Sequence, residues 1–222
     1  MHARHSSPRP PALRPPGTAL AFGACVLVSL WSAEALPGVG VIDEPDGACL
    51  NPERACLSIY GYISSADAEA VRRYFATVDR APGQVEVYLN SPGGEVKAAI
   101  QIGQAFRTAR AVVYVFPDAQ CGSSCVFLLA GATHRTVEGA VAIHRPTVFD
   151  ANLNPVAEAN LEYGSLVRDI QAFFRFTSTP ERLLEAMMAT PPEDAKYLTA
   201  RELAEFGLAG EAIGQETEDP RR

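Results

Sequence analysis

The run Ala111-Val112-Val113-Tyr114-Val115-Phe116 leaves this chain few architectures. Six apolar residues without a polar break, rich in β-branched and aromatic types, suit a strand in a sheet covered on both faces. Three shorter runs share its character: Leu57 to Tyr60, Val85 to Leu89 and Val141 to Ile143. Between these runs the spacing turns helical. Ser64 opens a capping-box pattern with Asp67, and Ala68, Val71, Phe75 and Val78 follow at helical intervals. Val96, Ala99, Ile100, Gly103 and Phe106 mark one face of a second helix, and Cys125 to Ala130 reads as an apolar third. Strand and helix in alternation predict an α/β fold whose parallel sheet is joined by right-handed crossovers.

The C-terminal third predicts helices alone. Leu166, Ile170, Phe173 and Phe174 share one face, and Leu183, Leu184, Met187 and Met188 another. Thr199 is placed to cap a last short helix carrying Leu203 and Phe206, with Gly207 at its end.

Length and charge bound the rest. The chain has 222 residues, one ordinary domain once a targeting segment is removed. A formal charge of −7, with no basic stripe, argues against nucleic-acid binding. Arg4, Arg9 and Arg14 precede an apolar run from Ala19 to Trp31, and Ser32-Ala33-Glu34-Ala35 offers a small-residue cleavage pattern. Residues 1–35 therefore read as a secretory signal peptide. An uncleaved anchor is the competing reading, and would be the chain's one link to a membrane. Residues 36–56 read as an irregular lead-in, 57–214 as the folded domain and 215–222 as a polar tail.

Four of the five cysteines lie beyond that leader: Cys49, Cys56, Cys121 and Cys125. An even count after an export signal predicts disulfides. Three pairings are open, and local pairing, Cys49–Cys56 and Cys121–Cys125, is the simplest. No C-x-x-C occurs and the histidines are scattered, so no metal site and no cofactor are expected.

Three motifs carry chemistry. Ser91-Pro92-Gly93-Gly94 closes a strand-like run with a glycine turn, where backbone can approach a ligand closely. Gln120-Cys121-Gly122-Ser123-Ser124-Cys125 puts a serine at a helix start, where backbone N–H groups lack partners. Ile143-His144-Arg145-Pro146 ends a strand in a histidine, the side chain suited to a general base near neutral pH. Each alone has a plain structural explanation: a tight turn, an N-cap, a histidine bonded to backbone. In order, they are the parts of a serine hydrolase site.

This ordered set, with Phe127-Leu128-Leu129-Ala130 after the serine, resembles the ClpP family of the ClpP/crotonase superfamily. Tyr197-Leu198-Thr199-Ala200 and Glu205-Phe206-Gly207-Leu208-Ala209 extend the resemblance, which runs from about Tyr60 to Ile213. It is nearest to exported, periplasmic ClpP-like proteins with a Cys-x-Ser-x-Cys frame. The resemblance implies a spiral of strand–helix units with C-terminal helices. It implies Ser123 as nucleophile and His144 as base. The oxyanion hole falls to Gly94 and the Ser124 N–H, with Gly93 shaping the turn. A peptide or protein substrate and a homo-oligomer are likewise implied.

The family's acid falls near Thr190-Pro191, where no carboxylate stands. Asp194 is the first substitute, with Glu193, Asp169 and the Thr190 hydroxyl as others. The expected function is an exported, ATP-independent serine peptidase. The alternative is a catalytically inactive ClpP-like binding protein of the cell envelope, which the missing acid motivates. A serine–lysine mechanism would have to draw on Lys97 or Lys196, and ranks below both.

Overall fold

The computed structural model describes residues 40–43, 49–79, 83, 85–148 and 160–211, all within one unit, Ala35–Arg222. The leader and the polar tail lie outside the described residues. Nine strands and six helices are described: β1 Gly40–Asp43, β2 Ala55–Ile63, α1 Ser65–Thr77, β3 Val85–Gly94, α2 Val96–Ala109, β4 Val112–Val115, β5 Gln120–Gly122, α3 Cys125–Gly131, β6 His134–Val137, β7 Ala140–Ile143, α4 Leu161–Thr177, α5 Arg182–Ala189, β8 Lys196–Tyr197, α6 Ala200–Glu205 and β9 Gly210–Glu211.

Local chemistry sets the boundaries. Ser64 and Asp67 form the expected capping box at α1: the Ser64 N–H donates to the Asp67 carboxylate at 2.7 Å. Burial pushes the Asp67 carboxyl above its ordinary pKa, against the lowering effect of the Ser64 bonds. Thr199 caps α6 in the same way, accepting from the Glu202 N–H while Glu202 accepts from the Thr199 N–H. Helix α2 ends at Arg110 and α4 at Ser178, both in the left-handed region.

Strand β3 organises the sheet. It pairs in parallel with β2 from Ala55↔Val85 to Ile63↔Gly94, through a bulge between Tyr60 and Tyr62. It pairs in parallel with β4 over Glu86–Tyr88, and further along with β5 at Ser91↔Cys121. Parallel pairs β4–β6 and β5–β7 extend the two branches. Antiparallel pairs close the margins: β1 on β2, β9 on β6 and β8 on β7. The expected parallel, curled sheet is therefore present, with antiparallel edges. Strand β1 corrects the reading of residues 36–56 as wholly irregular, because Gly40–Asp43 can add to the free edge of β2. His134 begins β6 opposite Val112.

One face of β4 departs from expectation. Val113 and Val115 are buried, but Val112 and Tyr114 are half-buried and Phe116 is exposed. Helices cover the first set only. On the other face Tyr88, Tyr114 and Phe116 pack together, with ring centroids 5.4–6.1 Å apart. The segment from Cys49, tied to Cys56 by a disulfide, covers part of that face. Its Leu50 N–H donates to the Tyr88 hydroxyl at 2.7 Å, and Arg54 pairs with the buried Glu86 at 3.4 Å. Continuous apolarity thus marked one helix-covered face and one aromatic face.

The helix that follows Ser123 is locked in the core. Every residue of α3 is buried. Gly131 approaches α2 so closely that an added Cβ would lie 2.2 Å from the Gly103 carbonyl oxygen. At its far end, Arg135 donates to the carbonyls of Leu129 at 2.5 Å and Ala132 at 2.6 Å, supplying donors the last turn lacks. Burial, with Arg107 nearby, brings the Arg135 guanidinium down to about 10.

Candidate active site

Three neighbouring parallel strands end side by side, in the order β7, β5, β3. The carboxyl ends of parallel strands are where open α/β sheets bind ligands. Here those ends carry His144, Ser123 and Gly93-Gly94. The Ser123 N–H donates to the Ala142 carbonyl at 2.8 Å, and His144 stands two residues beyond Ala142. Neighbouring strands run about 4.8 Å apart, so the segments that carry the two residues lie one strand spacing apart.

Ser123 has φ 52°, one of three described non-glycine residues in the left-handed region. That conformation costs a serine roughly 1–2 kcal/mol, and such residues persist where the surroundings over-determine them. The turn from β5 into α3 therefore presents Ser123 on a sharp corner. Ser124 separates from it cleanly. Ser123 is half-exposed, whereas Ser124 is 1% exposed and its hydroxyl is buried without a partner. A buried hydroxyl cannot meet a substrate carbonyl, but the Ser124 N–H meets no acceptor among the described residues and remains a free donor.

The glycine turn packs directly on this corner. Gly93 has φ 109°, and a Cβ there would lie 2.7 Å from the Ser123 Cβ and 3.0 Å from the Ser124 nitrogen. Its N–H is already engaged, donating to the Ser91 hydroxyl at 3.1 Å. Gly93 thus shapes the turn and does not donate. Glu95 donates its N–H to the Ile63 carbonyl on β2 at 2.8 Å. Consecutive N–H groups of an extended chain point to opposite edges, so the Gly94 N–H is directed away from β2, to the edge where β5 lies. The Gly94 N–H thus points to the β5 side of the turn, the side on which Ser124 lies.

Two side chains that hold this turn were given no role from sequence. Ser91 is fully buried, donates to the Gly61 carbonyl on β2 at 2.6 Å and accepts from Gly93. Asn90 accepts from the Gln120 N–H at the start of β5 at 3.2 Å. One residue stitches the turn to β2 and its neighbour stitches it to β5. Their place in the run Asn90-Ser91-Pro92-Gly93-Gly94 was the available signal, but which strands flank β3 is not written there.

The His144 ring is half-buried and its Nδ1 lies 2.9 Å from the Arg145 carbonyl oxygen. A carbonyl only accepts, so Nδ1 is the donor, and in the neutral ring the lone pair is on Nε2. That tautomer is the one a general base toward serine requires. Arg145 is itself tied down: its N–H donates to the Thr190 carbonyl at 2.8 Å and its Nε to the Met188 carbonyl at 3.0 Å. No hydrogen bond joins Ser123 to His144 among the described residues. None joins His144 to a carboxylate either. Asp194 is exposed in a turn, where its N–H donates to the Pro191 carbonyl. Glu193 and Asp169 are exposed, and the Thr190 hydroxyl donates to the Ala186 carbonyl at 3.0 Å. The structure therefore brings Thr190 beside Arg145 as backbone and leaves Asp194 outside the cluster.

Lys97 is exposed on α2, and Lys196 is paired with Glu202 at 2.7 Å. Cys49 is bonded to Cys56 and Cys121 to Cys125, the two local pairings. A cavity of about 280 Å³ lies between α4 and α5, lined by Val167, Phe174, Leu184 and Met188 among others. It contains none of the site residues. Among the described residues no group of His, Cys, Asp or Glu is arranged to hold a metal ion.

A curled, mostly parallel α/β sheet with a serine, a histidine and a glycine turn at its strand ends defines a ClpP-like protein. The chain belongs to the Clp protease family, a family of serine peptidases, whose sequence model matches residues 52–216. Two solved structures share the fold. One is a serine-to-alanine mutant of the 1510-N membrane-bound stomatin-specific protease, 19% identical over 68% of this chain and 75% of that one, with a TM-score of 0.52. The other is a lysine-to-alanine mutant of the same protease in complex with a substrate peptide, 20% identical over 68% of this chain and 71% of that one, with a TM-score of 0.52.

Proposed function

We propose that this chain is an exported, ATP-independent serine peptidase acting through Ser123 and His144. The observation that carries the reading is the left-handed corner at Ser123, set between the His144 segment on one side and the Gly93-Gly94 turn on the other. In the proposed reaction His144 Nε2 takes the Ser123 proton as Oγ attacks a peptide carbonyl. The resulting oxyanion accepts from the Gly94 and Ser124 N–H groups. The protonated ring then gives its proton to the leaving amine, and water completes the cycle on the acyl-enzyme.

Among the described residues no carboxylate bonds the ring, and the Arg145 carbonyl takes the orienting role: it holds the tautomer but adds no full negative charge. A triad weakened in this way retains the contribution of its oxyanion hole. Export is supported by the two disulfides, which belong to oxidising compartments. Among the described residues no helix is long and apolar enough to cross a membrane. A homo-oligomer and a peptide substrate are part of the same proposal.

The missing carboxylate favours one second reading, a ClpP-like protein that binds peptides without cleaving them. Labelling with a fluorophosphonate probe separates the two. The peptidase reading expects a covalent adduct on Ser123, abolished in Ser123→Ala and strongly slowed in His144→Ala. An unlabelled but folded wild-type protein that still binds peptide would establish the second reading instead.

A further inference from the structure

We propose that the Cys121–Cys125 disulfide is a positioning clamp that holds Ser123 in its reactive conformation, and that global stability does not depend on it. The inference rests on Ser123 being the nucleophile. The bond joins the middle residue of β5 to the first residue of α3, four positions apart, so its ring encloses Gly122, Ser123 and Ser124. Both cysteines are fully buried. The covalent ring is therefore centred on the one non-glycine site residue that stands in the left-handed region.

The other restraints on that corner are one-sided. Strand β5 has three residues, all paired with β7, but it meets β3 through a single pair, Ser91↔Cys121. Past Gly122, the Ser123 N–H bond to the Ala142 carbonyl continues the tie to β7. Without the disulfide, Ser123 is free to relax from φ 52° toward the favoured right-handed or extended regions, which would turn Oγ away from the Gly94 and Ser124 donors.

The fold has little need of the same bond. Helix α3 is buried along its whole length, packed on α2 and capped by Arg135. A disulfide that closes so short a loop removes little entropy from the unfolded chain. Cys49–Cys56 differs in both respects. It ties a covering segment to β2, closes a longer loop and touches neither Ser123 nor its donors.

The test compares the full-length wild type with C121A/C125A, C49A/C56A and S123A, each expressed under oxidising conditions. Four readouts are taken: the rate of fluorophosphonate labelling, its pH profile, thermal unfolding, and hydrogen exchange at the Ser123 amide. Expected in C121A/C125A is about a tenfold fall in labelling, the factor that the cost of a left-handed residue implies. Ser123 exchange should speed by at least as much. The pH midpoint should hold, because His144 is untouched, and the melting temperature should change by a few degrees at most. C49A/C56A should label as the wild type does.

Unchanged labelling and unchanged Ser123 exchange in C121A/C125A would overturn the clamp. So would a fall in labelling matched by faster exchange throughout the core, which marks a structural bond. If C121A/C125A does not fold, C121V/C125A, which refills part of the buried volume and leaves Cys49–Cys56 intact, supplies the same comparison, and loss of fold there too overturns the proposal. Should the wild type fail to label while Ser123 exchange still depends on the disulfide, the peptidase reading fails and the conformational clamp stands.

Discussion

Gly93→Ala gives the sharpest test of the site's geometry, because the numbers are local. The added methyl would sit 2.7 Å from the Gly122 carbonyl oxygen, 2.7 Å from the Ser123 Cβ and 3.0 Å from the Ser124 nitrogen. None of these is the yielding tip of a long side chain. Two are backbone atoms and the third is the first carbon of the nucleophile. At φ 109° alanine is strained before any contact is counted. The backbone strain costs roughly 1–3 kcal/mol and the overpacking about 1–3 kcal/mol more, so a loss of roughly 2–6 kcal/mol of stability is expected.

The Gly93 substitution should harm activity further. Relief requires the turn to move away from Ser123 by close to 1 Å, and a displacement of that size costs about 100-fold in rate. The assay is fluorophosphonate labelling at a temperature where equilibrium unfolding shows the variant folded, beside a urea titration for stability. A variant that labels at the wild-type rate with an unchanged urea midpoint would refute the packing of the turn on the serine. A variant that loses stability but labels normally would show that Gly93 is structural alone.

Three further predictions follow from named contacts. Ser91→Ala removes both the acceptor of the Gly93 N–H and the donor to the carbonyl of the bulged Gly61; about 1–2 kcal/mol of stability should be lost, and labelling should slow, which urea unfolding and the same probe will read. Arg135→Met keeps bulk but strips donors from the Leu129, Ala130 and Ala132 carbonyls at the end of α3; a loss of about 3 kcal/mol is expected in chemical denaturation. Glu202 is held down to about 2, first by Lys196 and then by the Thr199 capping bonds, against an ordinary 4.5. A lowered carboxyl contributes stability above its unfolded value and loses it as pH falls through the folded one. Wild type should therefore lose stability relative to Glu202→Gln between pH 4.5 and 2, and equal slopes for the two proteins across that window would contradict the pairing.

The backbone chemistry of single elements was open to reading from the chain. The capping pairs Ser64–Asp67 and Thr199–Glu202, the helical stripes of α2, α4 and α5, and the β-branched strands all follow from short-range spacing, and all are present. Strand–helix alternation led to the parallel sheet for the same reason, since a crossover helix is what joins parallel neighbours. The Cys49–Cys56 and Cys121–Cys125 pairings also needed only local proximity.

Where the chain must look past its neighbours, sequence reasoning stopped. The apolar run of β4 could not tell that one of its faces meets a tyrosine cluster and the Cys49 segment, because both sides of an uninterrupted run look alike. The roles of Asn90 and Ser91 depend on which strands flank β3. The family resemblance pointed to Ser123, but the physical difference between it and Ser124 lies in burial and in a positive φ at one of them. Thr190 and Asp194 lie four residues apart, yet only the fold decides that Thr190 reaches Arg145 through its carbonyl while Asp194 faces solvent. Residue types and spacings determined which groups were available, because hydrogen bonding and periodicity act within a few positions. Which of them meet was decided by strand order and register, set by packing the whole sheet against its helices.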